Sequence, residues 1–307
     1  MLVGFCLIKM TDWWIKYEGH IACISHKFPE SNFISIKSVH GFPLATYRFH
    51  HPSPKALILL FHGMHMSSSD FTHLAQSFHE NQFAVAAYDQ EGHGNSGGEK
   101  GTITSLEDYS EDCLNFIIKT KALYPANTPV ILLGLSMGGT MCVMSCLKRP
   151  DLIKGIIMFG PALAVDPNFE PLLQKVVRGL NNCCCRKLRI KAIDQELVSR
   201  NPYYKGYYEE NPEFFHGKLN VRTACAMLDG LGRLHGRFKE FENPVLVFHG
   251  EMDKVASFQQ AKEFIRDCKS RDKEMVEYKE MHHIITHEPE YNEILAKCLD
   301  WVQRLIS

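Results

Sequence analysis

Short apolar runs recur along the chain, separated by longer segments whose apolar residues follow helical spacing. The runs are Ala56–Phe61 (ALILLF), Phe83–Tyr88, Pro129–Leu133, Ile153–Phe159 and Pro244–Phe248. They are continuous rather than alternating, as expected of strands covered on both faces. Met275–Lys279 is a shorter, more polar strand candidate. Ser67–Glu80, Ser105–Thr120, Met137–Arg149 and Glu288–Ile306 read as helices, the third stopped by Pro150. Phe33–Ser38 and Pro43–His50 flank His40-Gly41 and predict a hairpin. Strand and helix alternate almost throughout, which predicts a mostly parallel central sheet with helices on both faces.

The alternation fails between about Ala162 and Phe238. This stretch holds helical fragments, the breaks Asn201-Pro202 and Asn211-Pro212, and aromatic clusters. Pro167–Leu180 has one apolar face. The stretch is expected to be a helical cap inserted between two core strands. Residues 1–161 and 239–307 then form the two parts of the core, with the cap at 162–238.

Composition narrows the classes. Lys and Arg number 34 against 35 Asp and Glu, a formal net charge of -1, which argues against nucleic acid as a partner. The 11 cysteines are an odd number, scattered in apolar runs (Cys113, Cys142, Cys146) or bunched at Cys183, Cys184 and Cys185. That is no disulfide framework and suits a reducing compartment. Leu2–Ile8 is apolar but short and lacks a basic lead, so no secretory signal is expected. No run approaches the ~18 apolar residues of a membrane-spanning helix. The expected location is cytoplasmic, with peripheral membrane contact through the cap left open.

The chemistry begins at Gly134-Leu135-Ser136-Met137-Gly138, a G-x-S-x-G pattern between a strand and a helix. In that context the serine sits on a sharp turn and projects at the sheet's carboxyl edge, and the residues two before and two after it must be small. Ser136 is therefore the expected nucleophile. A tetrahedral intermediate needs two N–H donors. One is expected from Met137 and the other from Met64, in the loop His62-Gly63-Met64 after ALILLF, with His62 bracing that loop. Asp253 in Gly250-Glu251-Met252-Asp253 follows a strand and is the expected acid, with Glu251 as competitor. The histidine should come last in chain order. His283 is chosen from the window that also holds His282 and His287.

Two other patterns are rejected. Gly92-His93-Gly94-Asn95-Ser96-Gly97 matches a dinucleotide-binding pattern, but a loop follows it where a helix should open. His283 and His287 share metal-ligand spacing, yet the H-E-x-x-H context is missing. No metal and no organic cofactor are expected.

HGM at 62–64, GHGNSGG at 92–98, GLSMGG at 134–139, GEMDKV at 250–255 and HHIITHE at 282–288 together resemble the monoacylglycerol lipase and lysophospholipase group of α/β-hydrolases. The resemblance runs from about ALILLF to the C-terminus and weakens in the cap. It implies an α/β-hydrolase fold, a Ser136–Asp253–His283 triad, oxyanion donors at Met64 and Met137, and a lipid ester substrate, monoacylglycerol first. Lysophospholipid cleavage, acyl transfer, small-ester or amide hydrolysis, and a non-catalytic scaffold remain alternatives. That group often has His before the serine, where this chain has Leu135. Leu135, Leu163, Phe169, Leu172 and Val176 are the expected substrate-binding residues. Cys183–Cys185 precede Arg186, Lys187 and Arg189, and read either as a lipidated basic loop or as a solvated loop with free thiols.

Overall fold

A computed structural model of the chain describes residues 27–165, 171–182, 184–189 and 197–307, and the backbone of 12–17 and 20–25. The stretch Leu2–Ile8 lies outside the described residues. In chain order the elements are β1 (Asp12–Tyr17), β2 (His20–Ser25), β3 (Glu30–Ser31), β4 (Ile36–Lys37), β5 (Pro43–Leu44), β6 (Thr46–Phe49), β7 (Leu57–Phe61), α1 (Thr72–Glu80), β8 (Ala84–Tyr88), α2 (Leu106–Lys121), β9 (Val130–Leu135) and α3 (Met137–Lys148). There follow β10 (Gly155–Phe159), α4 (Pro171–Asn181), α5 (Tyr204–Glu210), α6 (Val221–His235), β11 (Val245–Gly250), α7 (Phe258–Asp267), β12 (Lys273–Tyr278) and α8 (Tyr291–Ile306).

Eight strands form the central sheet in the order β12-β11-β10-β9-β7-β8-β6-β3. The six from β12 to β8 run parallel, and β6 and β3 add antiparallel edges. The period-2 alternation of strand side chains divides the apolar runs between two cores. Leu57, Leu59 and Phe61 join Leu132, Ile156 and Val247 under α2, α3 and α7. Ile58, Leu60, Leu133, Ile157 and Phe248 face α1 and α8 on the other side. This is why the five runs are unbroken in sequence: β7 to β11 have no solvent face, whereas the edge strand β12 does. The mostly parallel sheet with helices on both faces is the α/β-hydrolase architecture.

Three elements differ from the sequence reading. The hairpin about His40-Gly41 shrinks to the two-residue ladder of β4 and β5, with Gly41 at φ 85, because β6 leaves to pair with β8. Helix α7 was not anticipated: only Phe258, Ala261, Phe264 and Ile265 carry its apolar stripe over ten residues. The antiparallel β1–β2 pair also went unread. Helices α4, α5 and α6 all fall between β10 and β11. Arg178 of α4 bonds Asp229 of α6 at 2.9 Å, and Val177, Val221, Cys225 and Leu228 form a small core of their own.

The tightest contact in the sheet lies where β9 turns into α3. A Cβ on Gly138 would stand 1.8 Å from the carbonyl oxygen of Phe61, and one on Gly134 would stand 2.3 Å from the Gly138 backbone. Neither backbone can yield without separating α3 from the sheet. Gly138→Ala is therefore expected to destabilise the protein by about 3 kcal/mol or more; a urea melt with a midpoint equal to wild type would refute this.

Candidate active site

Ser136 stands between β9 and α3 with φ 55 and ψ -118, a conformation costly for a residue with a Cβ. The surroundings hold it there. Its N–H donates to the Phe159 carbonyl at 3.0 Å, and its own carbonyl accepts from Gly139 N at 2.9 Å and Ala162 N at 3.2 Å. Ser136 is the N-cap of α3, so the helix's unpaired first-turn N–H groups and positive dipole end lie beside the hydroxyl. Met137 is the first residue of that helix.

The loop after β7 closes against the turn. A Cβ on Gly63 would lie 3.3 Å from the Ser136 Cβ and 2.9 Å from the Met66 sulfur, so glycine eases the close approach of the 62–64 backbone. His62 braces the loop. Its Nδ1 contacts the Gly63 carbonyl at 2.8 Å, its Nε2 accepts from Gln90 N at 2.9 Å, and the Gln90 amide donates to the His62 carbonyl at 2.8 Å. Burial pulls His62 down to about 4 and His93 down to about 3, so these rings serve as neutral hydrogen-bonding groups. The glycine loop at 92–98 is structural: Asp89 takes N–H bonds from Ser68 and Asn95, each at 2.8 Å, and a Cβ on Gly94 would strike its carboxylate.

His283 Nδ1 donates to Asp253 Oδ2 at 2.7 Å, with the carboxylate fully buried and the imidazole nearly so. The other oxygen, Oδ1, accepts from Val255 N at 2.7 Å and Ala256 N at 2.9 Å. Burial alone would raise this carboxyl. The His283 charge and the hydrogen bonds from His249 and His283 outweigh burial and hold it well below the usual range. Glu251, the competing acid, is exposed. His282 makes no bond to Asp253, and its Nδ1 is buried without a partner.

Backbone contacts bind the two halves together. Gly160, at φ 47, follows Phe159, whose carbonyl holds Ser136. A Cβ on Gly160 would lie 3.2 Å from His283 Nδ1 and 3.3 Å from Asp253 Oδ2. A Cβ on Gly250 would strike the Met281 carbonyl at 2.1 Å, so the acid and histidine loops also meet through a glycine. Ser136, His283, Met64 and Met137 all line one cavity of about 1030 Å³. Its remaining wall is largely apolar and draws on α4, α5, α6 and the loop after β11, including Val176, Leu180, Tyr208, Leu228 and Val255. Among the described residues no cluster of His, Cys, Asp or Glu suits a metal ion.

Two expected substrate residues are corrected. Leu135 has no exposed surface; strand alternation turns it into the core beneath α1 and α8, beside Leu133 and Phe159. Leu163, 1% exposed, packs into the opposite core. Neither lines the cavity. Val176 does, while Phe169 lies outside the described residues and only the backbone of Leu172 is described. The sequence reading also missed His65, whose Nε2 is buried without a partner in a ring that lines the cavity, and His249, which abuts Asp253.

The sheet and the serine turn together define an α/β-hydrolase. The family described as serine aminopeptidase, S33, matches residues 52–290. This chain belongs to that family. It is 28% identical to a monoglyceride lipase of Rattus norvegicus over 85% of its length and 87% of the relative's. It is 28% identical to a monoacylglycerol lipase of Mycolicibacterium smegmatis over 81% of this chain and 88% of that one. The solved Paleococcus ferrophilus monoacylglycerol lipase superposes with a TM-score of 0.74 at 25% identity, covering 85% of this chain and 98% of that one.

Other carboxyls are buried as well, Asp70 among them. Asp70 is fully buried, and His287 Nε2 lies 3.6 Å from its Oδ1. Burial pushes Asp70 up to about 8, against a smaller lowering by the Tyr207 hydroxyl. The folded state then holds a proton that the unfolded chain releases near pH 4. Stability should fall as pH rises from about 4 to about 8. Asp70→Asn should flatten that slope in thermal melts across the window; an unchanged slope would refute it.

Proposed function

We propose that the protein is a serine carboxylic-ester hydrolase acting on lipid esters, monoacylglycerol first, through an acyl-enzyme on Ser136. The observation that carries this reading is the buried 2.7 Å bond from His283 to Asp253 on the wall of the cavity that also exposes the strained Ser136. His283, its tautomer fixed by Asp253, takes the Ser136 proton as the hydroxyl attacks the ester carbonyl. The backbone N–H groups of Met64 and Met137 receive the oxyanion. The protonated His283 gives its proton to the leaving alcohol. Water then attacks the acyl-enzyme by the same route and releases the fatty acid.

The cavity wall favours a long acyl chain, since each buried CH₂ contributes ~0.8 kcal/mol. The names of the rat and bacterial relatives support monoacylglycerol over other esters. No described helix is long and apolar enough to cross a membrane. Val176 and Leu197 line the cavity yet are 48% and 44% exposed, and Leu188 is exposed between Lys187 and Arg189. This rim supports an enzyme that meets lipid surfaces through its cap.

Ser136→Ala should abolish both ester hydrolysis and labelling by a fluorophosphonate probe. Asp253→Asn should lower kcat by about 10³ to 10⁴ with little change in KM. On a panel of mono-, di- and triacylglycerols and lysophospholipids, monoacylglycerol should be cleaved fastest. Labelling of Ser136→Ala equal to wild type would remove the catalytic reading, and a clear preference for lysophospholipid would replace the substrate.

A further inference from the structure

The acid at position 253 has a second imidazole partner. His249, the penultimate residue of β11, has no exposed surface and does not line the cavity. Its Nε2 lies 3.1 Å from Asp253 Oδ2, the same oxygen that accepts from His283, and 3.4 Å from the Ala256 carbonyl. Both neighbours are acceptors, so Nε2 carries the proton and donates. Nδ1 is buried without a partner, so the polar contacts of the ring are the Ala256 carbonyl and Asp253 Oδ2, both at Nε2. The ring is set edge-on against Phe258 at 5.7 Å and is fixed by its strand.

We infer that His249 is a positioning residue for the proposed reaction, its Nε2–H set between the Ala256 carbonyl and Asp253 Oδ2 so that the carboxylate stays aimed at His283. The inference rests on the reading of Asp253 as the acid of the triad. With Oδ1 taken by two backbone N–H groups and Oδ2 by two imidazoles, the carboxylate has no free rotation. The ionisable side chains bonded to it are His249 from β11 and His283 from the loop after β12, while the neighbouring Lys254 side chain is exposed. His249 also sets how much of the carboxylate's charge His283 feels. A donor on Oδ2 spreads that charge; its loss leaves His283 alone with it and favours the imidazolium.

The test compares His249→Met, which fills the space without a donor, with His249→Gln, whose amide can still donate. In His249→Met, kcat on a soluble ester should fall by about tenfold with KM unchanged, and the acid limb of kcat/KM should move to higher pH by about half a unit. In His249→Gln both should stay near wild type. Should the Met variant not fold, His249→Asn keeps polarity but falls short of Oδ2 and should move the limb in the same direction. An unmoved limb in the variants lacking the donor, or equal losses in the Met and Gln variants, would overturn the inference. Asp253→Asn is measured alongside: if it keeps full activity, the triad reading fails, whereas its collapse beside a silent His249→Met defeats this inference alone.

Discussion

The site depends on a backbone constraint: β9, α3 and the carbonyl end of β7 meet at distances that exclude side chains. The turn at Ser136 can be this sharp because Gly134 and Gly138 offer no Cβ where backbone already sits. The strain at Ser136 persists because hydrogen bonds to Phe159, Gly139 and Ala162 over-determine it. The same closeness fixes the electrostatics. The first turn of α3 begins at the serine, so a negative charge developing there meets N–H groups already in place.

Glycine recurs wherever two loops of the site converge. Gly63 brings the loop after β7 to Ser136, Gly160 makes room for the His283–Asp253 pair, and Gly250 lets the two loops carrying that pair touch. Each contact joins segments far apart in sequence, so the arrangement is a property of the folded sheet. Asp253 shows the energetic consequence. Desolvation of its carboxylate is opposed by two backbone donors and two imidazoles, and the balance leaves it firmly ionised. Asp70, equally buried but without comparable donors, goes the other way. Burial alone therefore does not decide the charge of a carboxyl in this molecule: Asp89 is raised although Ser68, Asn95 and Tyr47 donate to it, and what sets Asp253 apart is the imidazole charge beside it.

Much of this was legible in the chain because the informative signals are local. Continuous apolar runs specify covered strands, and the G-x-S-x-G turn carries its own steric logic. What stayed hidden depends on direction. Whether Leu135 faces the cavity or the core is decided by strand alternation next to an irregular turn, and proximity to Ser136 in sequence does not settle it. His249 reads as one more residue at the end of an apolar strand, although the run His249-Gly250-x-x-Asp253 does carry a signal: a polar group four residues before the acid, with a glycine to bring the loop back. Helix α7 was missed because ten residues with one narrow stripe give little periodicity to read.

The proposed triad and much of the apolar cavity wall come from different parts of the chain. Ser136, Asp253 and His283 follow β9, β11 and β12, adjoining or near-adjoining parallel strands whose carboxyl ends are fixed by the two cores. Much of the apolar cavity wall comes from α4 and α6, which share a small core of their own and an Arg178–Asp229 pair more than two-fifths exposed on both sides, while Leu231 of α6 and Val198 are anchored in the two sheet cores. An exposed pair of this kind contributes little stability. What anchors this segment is instead its buried apolar residues, Leu231 and Leu234 in one sheet core and Val198, Tyr204 and Tyr207 in the other. In the proposed reaction, the acyl-transfer step is carried by residues at the ends of the sheet strands, and α4 and α6 contribute apolar wall to the cavity beside them.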